Sequence, residues 1–343
     1  VTRIGQTLSR LLAPLRGSAA FGPQARALSA SSAVSRDHVR WAFRLLLDRE
    51  FDDPNGVDFW VEANPSAAEL RRSILLSEEF QAKNARFAPP APRRLVVRGE
   101  IEGGLYLYVD LADTAIGRGI LEHRYEPEER SWLLEQTKPG DVVVDLGANI
   151  GFFTVLLARR VGPHGRVLAY EPLGSNADLI ARSVEENHLA EVVTLRRVAV
   201  GDRACDLDLA AVPEDRASNS GGAFLLAPGA QAPPGHRTTR VPVVALDQEE
   251  MPGRVALLKI DVEGAEPQVL RGARRLLERD RPRVLAEVNP NALRRAGVGP
   301  SDAIAFMQDL GYDAHRLGKD GLGPIEDAAR EERAFSVVFL PRT

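Results

Sequence analysis

The stretch that decides the fold is Asp141-Val-Val-Val-Asp145-Leu-Gly147-Ala-Asn149-Ile-Gly151-Phe-Phe-Thr154. Three valines make an apolar run of strand length, an acid stands near its end, and Gly147 and Gly151 punctuate a tight turn. Ile150, Phe152 and Phe153 then open an apolar helix. Glycine tolerates positive φ and lets a ligand approach the backbone. A strand, a glycine turn and a helix in this order predict a ligand-binding βα unit. The alternation continues downstream: RVLAYEP, a helix, VVTLRRVAV, then VALLKID, a helix and RPRVLAEV, with closing strands near Ala314–Leu317 and Phe335–Leu340. This predicts a doubly wound, mostly parallel seven-stranded α/β sheet covered by helices on both faces. Helix starts are signalled at Ser175 with Asp178 and at Ser301 with Asp302. Between the third and fourth strands lie about 55 residues, read as strands Asp206–Val212 and Thr239–Leu246 around a flexible loop, functional or disordered, whose SNSGGAF turn is either an acceptor or cofactor loop or a plain hairpin connection.

The spacing of the turn narrows the ligand. A dinucleotide fold wants G-x-G-x-x-G to accept a pyrophosphate at the helix N-terminus. Here the spacing is G-x-x-x-G, and Asp145 would repel a pyrophosphate. That disfavours a nicotinamide-dependent oxidoreductase. A carboxylate at this place suits a cationic ligand that carries an amino group, and S-adenosylmethionine meets that description. The second strand ends at Glu171, where an acid can accept bonds from both ribose hydroxyls. Asp202, after the third strand, is expected at the adenine edge.

With these residues in view the resemblance is plain. DVVVDLGANIGFFT, AYEP, VAVGD, SNSGG, LLKIDVEGAEPQVLRGA and PRVLAEV together resemble the FkbM-type family of S-adenosylmethionine-dependent methyltransferases, over about residues 105–340. The resemblance implies a class I methyltransferase (Rossmann-like) fold and transfer mainly to hydroxyl oxygens, often on sugars or polyketides. It assigns the cofactor to Asp145, Gly147, Asn149, Gly151, Glu171 and Asp202. It carries Lys259, Asp261, Glu263 and Glu266 as further site candidates.

Chemistry gives some of these residues a role. A sugar hydroxyl is a very weak acid, so methyl transfer to it needs a general base or a metal. In an open α/β sheet the site lies at the carboxyl ends of the strands. Asp261 ends the fourth strand and is the first candidate base, or a metal ligand. Glu263, Glu266 and Glu287 are neighbours, with Asn289 and Asn291 just beyond. Strand alternation puts Lys259 and Asp261 on one face, and a buried Lys259 needs a carboxylate partner. The catalytic set expected is therefore Asp261, Glu263, Lys259 and Glu287. No dedicated metal is assigned, although Asp261, Glu287 and a third carboxylate could hold a hard cation. His123 and Tyr125, in ILEHRYEP, precede the glycine turn, where a loop can cover the donor, and His123 is an alternative base.

The remainder of the chain sets limits. The 343 residues suggest about two domains. Forty-four basic residues against 48 acidic ones give a net charge of −4, which offers no electrostatic case for nucleic acid. No apolar run reaches membrane-spanning length. The single cysteine, Cys205, excludes an internal disulfide and a cysteine-based zinc site, and a cytoplasmic setting is expected. Residues 1–36 hold five arginines and no acid and read as a basic, disordered arm. Residues 1–16 alternatively form an amphipathic helix for peripheral membrane contact, or part of a transit peptide.

Residues 37–88 read as a small all-helical module, with stripes at Val39, Phe43, Leu46 and Leu47, at Val57, Trp60 and Val61, and at Leu70, Ile74 and Leu75. Ser66 and Glu69 suggest a capping box. Asp52-Asp53-Pro54-Asn55-Gly56 is a turn signal, and an EF-hand through Gly56 fails because Phe51 would have to ligate calcium. RLLLDREFDDPNGVDFW with LRRSILLSEEF resembles the DUF4214-type helical domain, which implies a surface-polysaccharide context. The Pro-rich linker 89–94 (PPAPRR) separates it from a methyltransferase domain expected over 95–343. The acceptor expected is a hydroxyl, on a carbohydrate. The alternative is a scaffold in glycan assembly that keeps the fold without catalysis.

Overall fold

The computed structural model describes residues 33–47, 50, 53–64, 66–67, 70, 73–74, 77, 95–113, 116–213, 222–325, 328, 331 and 333–342. The basic arm before residue 33, Glu69 of the capping box, Leu75, the linker 89–94 and Ser218–Gly221 of the SNSGG turn lie outside the described residues. The chain divides into two compact units, Val1–Ala91 and Pro92–Thr343.

In the first unit, helices α1 (Arg36–Leu47) and α2 (Pro54–Ala63) bury the stripes read from the sequence. Val39, Phe43, Leu47, Val57, Leu70 and Ile74 form one core, and Phe43 meets Trp60 edge-on at 5.1 Å. The Asp53-Pro54 signal opens a helix rather than making a free turn. The Asp53 carboxylate accepts the Gly56 N–H at 3.1 Å, and Pro54 fills the first helical position, where its missing N–H costs nothing.

The second unit opens with a hairpin, β1 (Val96–Ile101) and β2 (Leu105–Asp110), followed by helices α3 (Gly117–Leu121) and α4 (Pro127–Gln136). The central elements are β3 (Val142–Leu146), α5 (Phe152–Val161), β4 (Arg166–Tyr170), α6 (Gly174–Glu186) and β5 (Val193–Arg196). A second layer follows: β6 (Ala199–Val200), β7 (Cys205–Ala211), β8 (Phe224–Leu225) and β9 (Arg237–Val244). The chain then returns through β10 (Val255–Ile260), α7 (Glu266–Gly272), α8 (Arg274–Asp280), β11 (Arg283–Val288), α9 (Pro290–Arg295) and α10 (Pro300–Asp309). It closes with β12 (Tyr312–Gly318), β13 (Gly321–Gly323) and β14 (Phe335–Pro341).

The main sheet has the order β13-β12-β14-β11-β10-β3-β4-β5. Its five strands from β11 to β5 are parallel, and β14 and β12 add antiparallel. This is the class I methyltransferase architecture, with short β13 as an eighth strand beyond the seven expected. Strand order reverses between β3 and β10, and open α/β sheets bind ligands at such a switch point.

Three readings need correction. VVTLRRVAV is two strands: β5 stays in the main sheet, while β6 crosses to a four-stranded sheet of order β6-β9-β7-β8, and Arg197 between them turns out to Asp178 at 2.7 Å. The helix after KIDVEGAE breaks at Ala273. Gly272 ends the first half, where a Cβ would stand 2.0 Å from the Gly201 carbonyl oxygen. Helix α6 starts at Gly174 with Leu173 in the cap position, so Ser175 stands inside the helix and not before it. The Asp302 signal holds, its carboxylate accepting the Gly299 N–H at 2.8 Å.

Candidate active site

The loop after β3 is a cradle made by glycine. Gly147 has φ 72°, and a Cβ there would lie 1.7 Å from the Asp261 carbonyl oxygen, so a side chain cannot be accommodated. The N–H groups of Gly147 and Ala148 both donate to the Tyr170 carbonyl at 3.0 Å, which ties the turn to the end of β4. Asn149 also has positive φ, and its N–H donates to Glu171 Oε2 at 2.8 Å. Glu171 Oε1 accepts the Leu173 N–H at 2.9 Å. Burial raises the Glu171 carboxyl to about 8, against the pull of these two amides. Gly151, at φ 90°, begins α5 and packs on Ile180, 3.1 Å from where its Cβ would be.

Sheet register builds the charged centre. Lys259 of β10 pairs with Asp145 of β3, and Asp261 is two residues further along on the same face. The Lys259 ammonium therefore sits 3.5 Å from Asp145 and 3.5 Å from Asp261. Burial alone would lower its pKa, but Asp261 and Asp145 together raise it, so Lys259 stays charged. Asp145 is fully buried, and its second oxygen accepts the Thr154 hydroxyl at 2.6 Å. The structural Lys259–carboxylate pairing read from the sequence is thus present.

A cavity of about 270 Å³ opens over the switch point. Gly147, Asn149, Glu171, Asp261, Glu263 and Glu287 all line it, and its roof includes Leu209 and Phe224 of the second sheet. Asp261, Glu263 and Glu287 can bring one carboxylate oxygen each within 4.8 Å of one another. Burial, reinforced by Asp261, raises Glu263 to about 8 and Glu287 to about 9. Arg295 opposes the shift at Glu263, and it also stacks over the Phe224 ring at 4.5 Å.

Not every expected residue reaches this cavity. Asp145 and Lys259 lie beneath it, and Gly151 shapes the helix start. Asp202 is exposed, faces Arg203 at 3.8 Å and is not among the residues that line the cavity. On that side the wall is Val198, Ala199 and Val200. Glu266 instead closes the loop before α7: it is buried and accepts the Gly264 N–H at 3.0 Å. Asn289 caps α9 through the Asn291 and Ala292 N–H groups. His123 is exposed and outside the lining, whereas Tyr125 lies within it.

One lining residue escaped sequence reading. Glu126 holds a left-handed conformation, φ 41°, just before Pro127 and α4. Burial and Asp261 raise its carboxyl to about 7, with Lys259 opposing. Tyr125 beside it meets Phe152 edge-on at 5.5 Å and Phe153 at 6.3 Å. The only signal in the sequence was the position of ILEHRYEP ahead of the glycine turn.

Residues 145–314 match the family model of the methyltransferase FkbM domain. "Methyltransferase 1" of Beauveria bassiana is 31% identical over 144 residues, covering 38% of this chain and 57% of that protein. "Methyltransferase sdnD" of Sordaria araneosa is 25% identical over 203 residues, covering 51% of this chain and 74% of that protein. The first match thus spans little more than half of its relative. A solved structure of methyltransferase FkbM from Methylobacillus flagellatus aligns with a TM-score of 0.37 at 16% identity, over 87% of this chain and 58% of that one.

Proposed function

Since residues 145–314 belong to the FkbM methyltransferase family, we propose that the protein transfers the methyl group of S-adenosylmethionine to a hydroxyl oxygen, on a carbohydrate acceptor. The observation that carries this reading is one cavity lined by both Glu171, beside the glycine cradle, and Asp261, clamped by Lys259. The residues fit the donor. Gly147 lets the Asp261 carbonyl pack directly against the turn after β3, which brings Asp261 to the cavity that the same turn lines. Glu171 uses one lone pair of each oxygen on an amide and, protonated near neutrality like Glu263, keeps an O–H and further lone pairs for ribose hydroxyls. When bound, the donor supplies an electrophilic methyl on a sulfonium whose sulfur leaves as a thioether.

The chain supplies alignment and the proton acceptor. Asp261 takes the acceptor hydroxyl proton as the new O–CH₃ bond forms. Glu263 and Glu287, raised to about 8 and about 9, are protonated near neutrality and act there as hydrogen-bond donors that orient the acceptor. Lys259 fixes the Asp261 carboxylate from below and is a positioning residue. The carbohydrate class is supported by the resemblance of residues 37–88 to a module of glycan assembly. A cytoplasmic setting belongs to the same reading. Among the described residues no helix is long and apolar enough to cross a membrane.

The test is labelled S-adenosylmethionine incubated with a host glycan extract, read as a mass shift of one methyl group on a glycan component. Asp261→Asn lowers kcat by about 10²–10⁴, the usual worth of a general base, while donor affinity is kept. Near-wild-type turnover with saturating donor removes Asp261 from the chemistry. The second reading, a divalent cation on Asp261, Glu263 and Glu287, rests on their convergence within 4.8 Å. It predicts that a chelator abolishes wild-type turnover.

A further inference from the structure

The donor carries a positive α-ammonium as well as a sulfonium, and a cation leaving water needs a carboxylate to meet it. Sequence reasoning gave that task to Asp145. Asp145 is fully buried, however, with Thr154 on one oxygen and Lys259 at 3.5 Å from the other, and it is absent from the cavity wall.

The wall offers other acids, but most are already engaged. Asp261 faces Lys259. Both oxygens of Glu171 accept backbone amides, and the donor reading gives its remaining lone pairs to ribose. Glu263 feels Arg295. Glu287, on β11, stands with Asp261 and Glu263 in the carboxylate cluster given to the acceptor.

Glu126 differs in how it is held. Tyr125 wedges against Phe152 and Phe153, the first residues of the helix that follows the glycine cradle. Pro127 fixes the start of α4 on the other side, and Glu129 anchors that helix to the Ser336 hydroxyl at 2.7 Å. These contacts bring the Glu126 side chain into the same cavity wall as Gly147 and Asn149. Its hydrogen-bond partner is the neighbouring Tyr125; Lys259 acts on it through its charge but is paired with Asp145 and Asp261.

We propose that Glu126 is the carboxylate that binds the donor's α-ammonium group, an inference that rests on the S-adenosylmethionine reading above. It gives the ILEHRYEP segment a task in binding and leaves Asp145 the structural one of anchoring Lys259.

The test compares two ligands by calorimetric titration of the full chain. S-adenosylhomocysteine carries the amino-acid tail, and 5′-methylthioadenosine lacks it. Glu126→Gln weakens S-adenosylhomocysteine by about tenfold or more, the loss of one charge-assisted hydrogen bond, and leaves methylthioadenosine unchanged. Asp145→Asn leaves the ratio of the two affinities as in the wild type. Equal loss of both ligands in Glu126→Gln, or no loss of either, overturns the assignment. Loss of the ratio in Asp145→Asn alone returns the task to Asp145. If Glu126→Gln fails to fold by circular dichroism, Glu126→Ala is read by the same comparison. A wild-type chain that binds neither ligand overturns the donor reading itself, and this inference with it.

Discussion

Lys259 holds two acids from a strand with no exposure to speak of, and removing one member of such a group leaves buried charge without compensation. Lys259→Met is expected to destabilise the protein by about 3–5 kcal/mol, measured by denaturant unfolding. The other acids make an opposite contribution. Glu126 and Glu266, at about 7, Glu171 and Glu263, at about 8, and Glu287, at about 9, bind protons more tightly folded than unfolded. Between the ordinary carboxylate range and about pH 9 the native chain therefore holds more protons than the unfolded one. The contribution of these acids to stability is full below that window, falls as pH rises through it and is gone above it. The ligand-free protein is expected to melt at a lower temperature at pH 9 than at pH 6. Glu287→Gln, neutral throughout, raises the melting temperature at pH 8 by about 2–4 °C, the effect of about 1 kcal/mol in a domain of this size.

At the scale of elements, the hairpin β1–β2 docks on the end of α6 through polar contacts. The Asn187 side chain accepts the Tyr106 N–H at 2.8 Å and donates to its carbonyl at 2.6 Å, while the Ser183 hydroxyl accepts the Tyr108 N–H at 3.0 Å. Asn187→Ala strands both Tyr106 groups and should cost about 1–3 kcal/mol, read by chemical denaturation. An unchanged midpoint would show that water replaces the amide freely. The strands of the core were legible because buried parallel strands read as short apolar runs, and Lys259 betrayed its pairing by strand alternation. Glu126 was not legible, because it lies in a turn whose conformation no periodicity encodes. The position of Asp202 outside the cavity lining was not legible either: the chain leaves the main sheet after Arg196, which carries the next residues into a second layer. The helix break at Ala273 adjoins a close approach of Gly272 to the Gly201 carbonyl, remote in sequence and therefore invisible to local pattern.

At the scale of the molecule, the unit Pro92–Thr343 contains every residue assigned to the cavity, and the helical unit has its own apolar core. A chain beginning at Pro92 should fold and bind the donor with near-full affinity, measured by titration beside the complete protein. Loss of binding in a folded fragment would assign the helical unit a part in the site.

The central claim is that the cavity over the β3–β10 switch point holds S-adenosylmethionine, with Glu171 at its ribose. Its most direct test is calorimetric titration of the complete chain with S-adenosylmethionine, repeated on Glu171→Ala. The account predicts saturable one-to-one binding, weakened in the variant by about 1–3 kcal/mol. No binding by the wild-type chain, or equal affinity in the folded variant, contradicts it.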